Sequence, residues 1–134
     1  MRGDTMSDTA KFLAASSFAV AGASRDASKY GHRVLVALRD SGRKVQAINP
    51  SAASVAGQAA FDSLNELAEV PKSVSVVTPP EVTEKVIDEA IKLGVENIWM
   101  QPGAEHDAAS ERARDAGLNV IDDGSCILVL LAME

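Results

Sequence analysis

The sequence predicts an α/β fold in which helices doubly wind a five-stranded parallel sheet into a three-layer sandwich. Three observations predict it. Short apolar runs of strand length alternate with longer helical segments, each helix stops at a glycine just before the next strand, and the first run reads as buried on both faces. Strands covered by helices on both sides must read this way.

Residues 8–16 carry Phe12, Leu13 and Ala15 and suggest a short amphipathic lead-in helix covering one edge. Residues 17–21, Ser-Phe-Ala-Val-Ala, end at Gly22 and form a first strand buried on both faces. After a polar loop, Val34, Leu35 and Leu38 line one face of a helix that Gly42 can close in the left-handed conformation, before a second strand at residues 45–48. Residues 51–60, biased toward small side chains, read as an ordered surface loop, and a short helix is expected around residues 62–67.

Residues 74–77 supply the third strand. Thr78 is then placed to cap a helix, with proline in its first turn and Glu81 completing a capping box. Val82, Val86, Ala90, Ile91 and Leu93 are expected to face inward, with Gly94 as the stop. A fourth strand at 97–100, an alanine-rich helix at 104–116 ended by Gly117, and a fifth strand at 118–121 complete the pattern. Right-handed crossovers over a parallel sheet make this a Rossmann-like arrangement.

A chain of 134 residues suits a single domain, residues 1–134. Its opening, residues 1–7, holds a second methionine, Met6, and reads as an artificial or disordered lead-in; the Arg2-Gly3-Asp4 triplet there is read as coincidence. Aromatics make up only 4% of the chain, so the core must be built from Val, Ile, Leu and Ala. A net charge of −6 argues against nucleic acid, which requires a basic face. A lone Cys126 cannot form an internal disulfide, and no apolar run is long enough to span a bilayer, so no membrane role and a cytoplasmic address are expected.

In doubly wound sheets, ligands bind beyond the carboxyl ends of the strands where strand order reverses. Those ends are Gly22-Ala23-Ser24, Asn49-Pro50, Thr78-Pro79-Pro80 and Gln101-Pro102-Gly103. A glycine directly after the first strand lets backbone amides and the next helix N-terminus approach a diphosphate, and Ser24 can add a hydroxyl. The alternative is that Gly22 only makes a tight turn, since one glycine is far less than a full dinucleotide fingerprint. Arg25, Lys29 and Arg33 cluster here in an otherwise acidic chain, either to neutralise a phosphate or as a solvated loop.

A nicotinamide site normally carries Asp or Glu at the end of the second strand, where Asn49 stands instead. His32 and His106 lack partners at ligand spacing, so no metal site is expected. Cys126 has no recognisable base or oxyanion site beside it, so it reads as a buried or half-buried thiol and no catalytic residue is assigned. Trp99 reads as sheet packing, and Tyr30, in a loop, as the better candidate for ligand contact.

The ordered set VAGASRD, KYGHRV, AINP, VVTPP and IWMQPGAEH, followed by a cysteine near the C-terminus, resembles the small stand-alone CoA-binding domain proteins. These are related in fold to the nucleotide-binding part of succinyl-CoA synthetase alpha subunits. The resemblance implies that Gly22, Ala23, Ser24 and Arg25 surround a coenzyme A diphosphate and that Lys29 and Tyr30 close over it. It further implies that Asn49 and Pro50 flank the adenosine, that Thr78 and Pro79 border adenine or ribose, and that residues 101–103 shape the next turn of the crevice.

Two departures stand out: Ser51 replaces a common basic residue, and Gly124-Ser125 replaces a common Asp-Arg pair before the cysteine. The apolar run at 127–131 also differs, and is expected to pack on the sheet or to face a partner.

The function expected is non-catalytic binding of coenzyme A or an acyl-CoA. A protein-binding module, natural or engineered, built on the same scaffold through an exposed apolar surface is the first alternative. An NAD(P)-dependent oxidoreductase is the second.

Overall fold

In the computed structural model, which describes residues 6–134, the apolar runs pair side by side, parallel and in register, in one sheet. Strands β1 (Phe18–Ala21), β2 (Val45–Ile48), β5 (Ser73–Val76), β6 (Asn97–Met100) and β7 (Asn119–Ile121) match the five expected. Two further strands, β3 (Ser54–Val55) and β4 (Gln58–Phe61), make the sheet seven-stranded, in the order β3-β4-β2-β1-β5-β6-β7.

The expected strand count of five is therefore corrected, and residues 51–60 are not a loop. β4 pairs parallel to β2 through Ala47 with Ala60 and Ile48 with Phe61, while β3 folds back antiparallel on β4. The hairpin turns at Ala56 (φ 51°) and Gly57 (φ 81°); β3 is only two residues long, and β4, Gln-Ala-Ala-Phe, carries no β-branched residue by which a strand is recognised.

Alternate residues feed two cores, one on each sheet face. Ala19, Ala21, Ile98 and Met100 pack with α3 (Pro80–Leu93), α4 (Asp107–Asp115) and a single 3₁₀ turn (Leu64–Glu66). Phe18, Val20 and Trp99 pack with α1 (Asp8–Leu13), α2 (Tyr30–Asp40) and α5 (Ile127–Ala132). The three layers expected from the sequence are present. Gly42, Gly94 and Gly117 take the left-handed φ expected after α2, α3 and α4.

Several local expectations are corrected. The helix anticipated at 62–67 is only that 3₁₀ turn, and α4 starts at Asp107, where the His106 ring accepts from the Ala109 amide at 3.1 Å. Thr78 does not cap α3: Pro79 takes the cap position, and the Thr78 hydroxyl meets that of Thr83 at 2.7 Å. The inward face of α3 is Thr83, Ile87 and Ala90, with Val86, Ile91 and Leu93 partly buried against it; Val82 turns out and is 40% exposed. The C-terminal apolar run forms α5, which buries Ile127 and leaves Val129 57% exposed.

α1 is tied to the sheet by a polar seam. Ser73 Oγ donates to the Phe12 carbonyl (2.9 Å), Asn97 Nδ2 to Ser73 Oγ (3.1 Å), and Asn119 Nδ2 to both Asn97 Oδ1 (3.0 Å) and the Asp8 carbonyl (2.9 Å). Phe12 itself stands edge-on to Phe18 and Trp99. The opening residues 1–5, including the Arg2-Gly3-Asp4 triplet, lie outside the described residues.

Candidate functional site

From β1 the chain runs outward to β2 and then β4, and it returns on the other flank of β1 as β5. Strand order thus reverses between β1 and β5, and the crevice beyond their carboxyl ends is where a doubly wound sheet takes a ligand.

The backbone there leaves no room for side chains. Gly22 has φ +93°, and a Cβ on it would stand 2.1 Å from the Val77 carbonyl oxygen at the end of β5. A Cβ on Gly31, in the first turn of α2, would stand 2.0 Å from the Gly22 carbonyl oxygen. Three backbone segments therefore touch at the reversal point, and only glycine permits either contact. Sequence reasoning identified Gly22 but missed Gly31; its signal was a glycine inside a helical pattern, where glycine otherwise only costs stability.

The amides of Gly22 and Ala23 both donate to the Ile48 carbonyl, at 3.1 and 3.3 Å. They are occupied by the sheet, which corrects the expectation that these two amides face a diphosphate. The donors that remain lie one step further on. Among the described residues the Ser24 and Arg25 amides have no protein acceptor, and the first-turn amides of α2 are uncapped because Lys29, its cap residue, makes no side-chain bond.

The loop between is self-tied. Ser24 Oγ accepts from the Asp26 amide (3.1 Å), and Asp26 Oδ1 accepts from the Ser28 amide (2.9 Å) and hydroxyl (2.7 Å). Those Ser28 hydrogen bonds hold the Asp26 carboxyl below its ordinary pKa. His32 Nδ1 lies 2.8 Å from the Ser24 carbonyl, which only a protonated Nδ1 can satisfy. Asn49 Nδ2 donates to the Ala23 carbonyl (2.8 Å) while its Oδ1 accepts from the Ser51 amide (2.8 Å), so this side chain braces the loop against β2.

Two clefts flank Asn49-Pro50-Ser51. The first, about 310 Å³, lies between β1, β2 and α3 and is lined chiefly by Gly22, Ile48, Pro50, Leu64, Thr78, Val82 and Val86, with Lys85 and Glu89 also on its wall. Val82, outward on its helix, is exposed because it faces this cleft. The second, about 470 Å³ and open, is lined by Ser24, Arg25, Asp26, Asn49, Ser51 and Ala52.

The expected site residues distribute unevenly. Gly22, Pro50 and Thr78 line the first cleft, and Ser24, Arg25 and Asn49 the second. Ala23 is buried, Pro79 is exposed at the start of α3, and Lys29 is exposed at the start of α2; none of the three lines either cleft, nor do Gln101, Pro102 and Gly103. Arg25, Lys29 and Arg33 are exposed and make no ion pair among the described residues.

Tyr30 turns beneath the loop. Its hydroxyl lies 3.1 Å from Gln101 Oε1 and 2.6 Å from the half-buried Cys126 Sγ. Burial, and then the Cys126 contact, push the Tyr30 hydroxyl well above its ordinary pKa. Burial raises the Cys126 thiol, but the Tyr30 hydrogen bond, the Val129 and Leu128 amides and the Arg33 charge outweigh it and hold the thiol below its ordinary value.

Among the described residues no cluster of three metal-ligating side chains occurs, and no helix is long and apolar enough to cross a membrane.

Comparison with known proteins matches residues 16–132 to a family described as CoA binding domain. A conserved hypothetical protein from Pyrococcus furiosus is 32% identical, with a TM-score of 0.79 over 85% of this chain and 97% of that one. A Thermus thermophilus protein is 29% identical, with a TM-score of 0.83 over 92% and 96%. An acetyl-coenzyme A synthetase from Candidatus Korarchaeum cryptofilum is 28% identical, with a TM-score of 0.72 over 81% of this chain but only 26% of its own.

Proposed function

The chain belongs to the CoA binding domain family, and from that premise we propose that it binds coenzyme A or an acyl-CoA at the β1–β5 reversal point without turning it over. The observation that carries this reading is the adjacency of the two clefts across Asn49-Pro50-Ser51. Coenzyme A is long and chemically divided, with an apolar-faced base at one end and a diphosphate near its middle. In this reading the adenine enters the apolar cleft against Pro50 and Val82. The diphosphate lies over the second cleft, toward the Ser24 and Arg25 amides, the first turn of α2 and the Lys29 ammonium.

The surroundings of Cys126 support the non-catalytic part of this reading. Cys126 touches Tyr30, a hydroxyl held in its protonated form, and no imidazole or carboxylate hydrogen-bonds its sulfur among the described residues. Hydride transfer is disfavoured because the end of β2 carries Asn49, whose amide is engaged with Ala23, in place of a carboxylate for a ribose diol. A protein partner on the outer face of α5 is compatible with the same ligand, since Val129 and Met133 are 57% and 75% exposed there.

Thermal unfolding with and without ligand tests the reading. Ligand at about one hundred times its Kd adds about 2.7 kcal/mol to the native state, which raises Tm by several degrees. An unchanged Tm with both coenzyme A and acetyl-CoA at millimolar concentration argues against it.

A further inference from the structure

Gln101 is a rigid anchor at the end of β6. It is fully buried; its Nε2 donates to Ser75 Oγ of β5 (3.1 Å), and its Oε1 accepts from the Ile127 amide that opens α5 (3.0 Å). The second lone pair of that Oε1 faces the Tyr30 hydroxyl at 3.1 Å. Tyr30 is the first residue of α2, a helix whose cap residue supplies no side-chain bond. An end left so would fray unless something else held it.

We propose that Tyr30 is a positioning residue for the ligand: through its hydroxyl bond to Gln101 it fixes the first turn of α2 at the crevice without touching the ligand itself. This rests on the coenzyme A reading above and replaces the contact role expected for Tyr30 from the sequence. Its hydroxyl is spent on protein partners, and its ring lines neither cleft.

The tether has a second member. Tyr30 has one hydroxyl proton and two neighbours that can take it. With Cys126 as a thiol, the S–H donates to the Tyr30 oxygen and the Tyr30 O–H donates to Gln101. With Cys126 as a thiolate, the Tyr30 proton turns to the sulfur 2.6 Å away and the Gln101 bond is released. Arg33 of α2 is the charged group that acts on this pair; β6 contributes the neutral Gln101 and α5 its own backbone amides.

The test compares wild type, Tyr30→Phe and Cys126→Ser by titration with acetyl-CoA, which has no free thiol, and by hydrogen exchange of the ligand-free proteins. Tyr30→Phe keeps the ring, and Gln101 Oε1 retains its Ile127 bond, so the fold is not left with a buried orphan. Its expected affinity is about three- to tenfold weaker, the loss of one neutral hydrogen bond. Amides Arg33 to Val36, bonded to the first-turn carbonyls, exchange faster before any ligand is added.

Wild-type affinity should also change with pH as the thiol ionises, because the Tyr30 hydroxyl then ties α2 to Cys126 at the opening of α5 instead of to Gln101 of β6. Cys126→Ser, which still donates but does not ionise, should match wild type while the thiol is protonated and stay flat. Unchanged affinity in Tyr30→Phe overturns the proposal, and so does a weaker affinity with unchanged exchange, which would mean that the hydroxyl meets the ligand directly. A pH profile shared by wild type and Cys126→Ser removes Cys126 from the tether. A wild-type protein that takes no acetyl-CoA sinks the binding reading alone, because the exchange comparison still decides the tether.

Discussion

Gly31 lies against the carbonyl of Gly22 so closely that a methyl group on it would stand 2.0 Å from that oxygen. The obstacle is backbone, fixed in turn by the Gly22 and Ala23 amides on Ile48, and it cannot swing aside. Gly31→Ala should therefore cost at least about 2–3 kcal/mol. Gly42→Ala, at φ 89° with open space around it, should cost only the left-handed penalty, about 1–2 kcal/mol. Urea unfolding of the two variants checks the ranking; equal losses would mean that the close contact relaxes.

Ala56 is the one non-glycine residue with positive φ among those described, at 51°, held by Arg39 Nη1 on its carbonyl at 2.6 Å. Two-residue hairpin turns of this kind favour Asn-Gly. Ala56→Asn, which keeps the backbone carbonyl that Arg39 binds, should stabilise the protein by about 0.5–1 kcal/mol. A lower urea midpoint would contradict the account of the β3–β4 turn.

Arg25 is exposed beside the open cleft and makes no ion pair among the described residues. Arg25→Ala should weaken coenzyme A binding by about three- to tenfold at low salt. The gap between variant and wild type should narrow as ionic strength rises, because an exposed charge is screened. Calorimetry at two salt concentrations checks both; a gap independent of salt would assign Arg25 a packing role instead.

Arg114 Nη2 meets Asp122 Oδ1 at 2.8 Å, and this hydrogen bond is the chief reason the Asp122 carboxyl sits below its ordinary pKa. A carboxyl depressed in the native state contributes stability that is present above its unfolded pKa and is lost as pH falls through the folded one. Between about pH 5 and 3, wild-type Tm should fall more steeply than that of Asp122→Asn. Parallel curves would show that this pair, half exposed on its arginine side, adds nothing measurable.

What the sequence made legible was whatever local pattern dictates. Apolar runs marked the five mutually parallel strands β2, β1, β5, β6 and β7 to within a residue, and glycine after a helix marked its end. The β3–β4 hairpin escaped because Ala59, Ala60 and Gly57 say little until β2 is there to pair with them. On α3, Val86, Ala90, Ile91 and Leu93 pack on the core as expected, and Val82 alone was misread, because it is apolar for the sake of a cleft and not of the core.

In the site, residue types at strand ends located the crevice, but the division of labour depended on distances. Asn49 proved a brace, the Gly22 and Ala23 amides proved occupied, and Tyr30 pointed inward to Gln101, ninety-odd and seventy-odd residues from its partners in Cys126 and Gln101. Contacts so distant in sequence leave no trace in spacing.

Calorimetric titration of the purified protein with coenzyme A, and in parallel with NAD, tests the central claim most directly. The account predicts a saturable 1:1 isotherm with coenzyme A and no heat with NAD. A flat coenzyme A titration, or an NAD isotherm of equal or greater affinity, would contradict it.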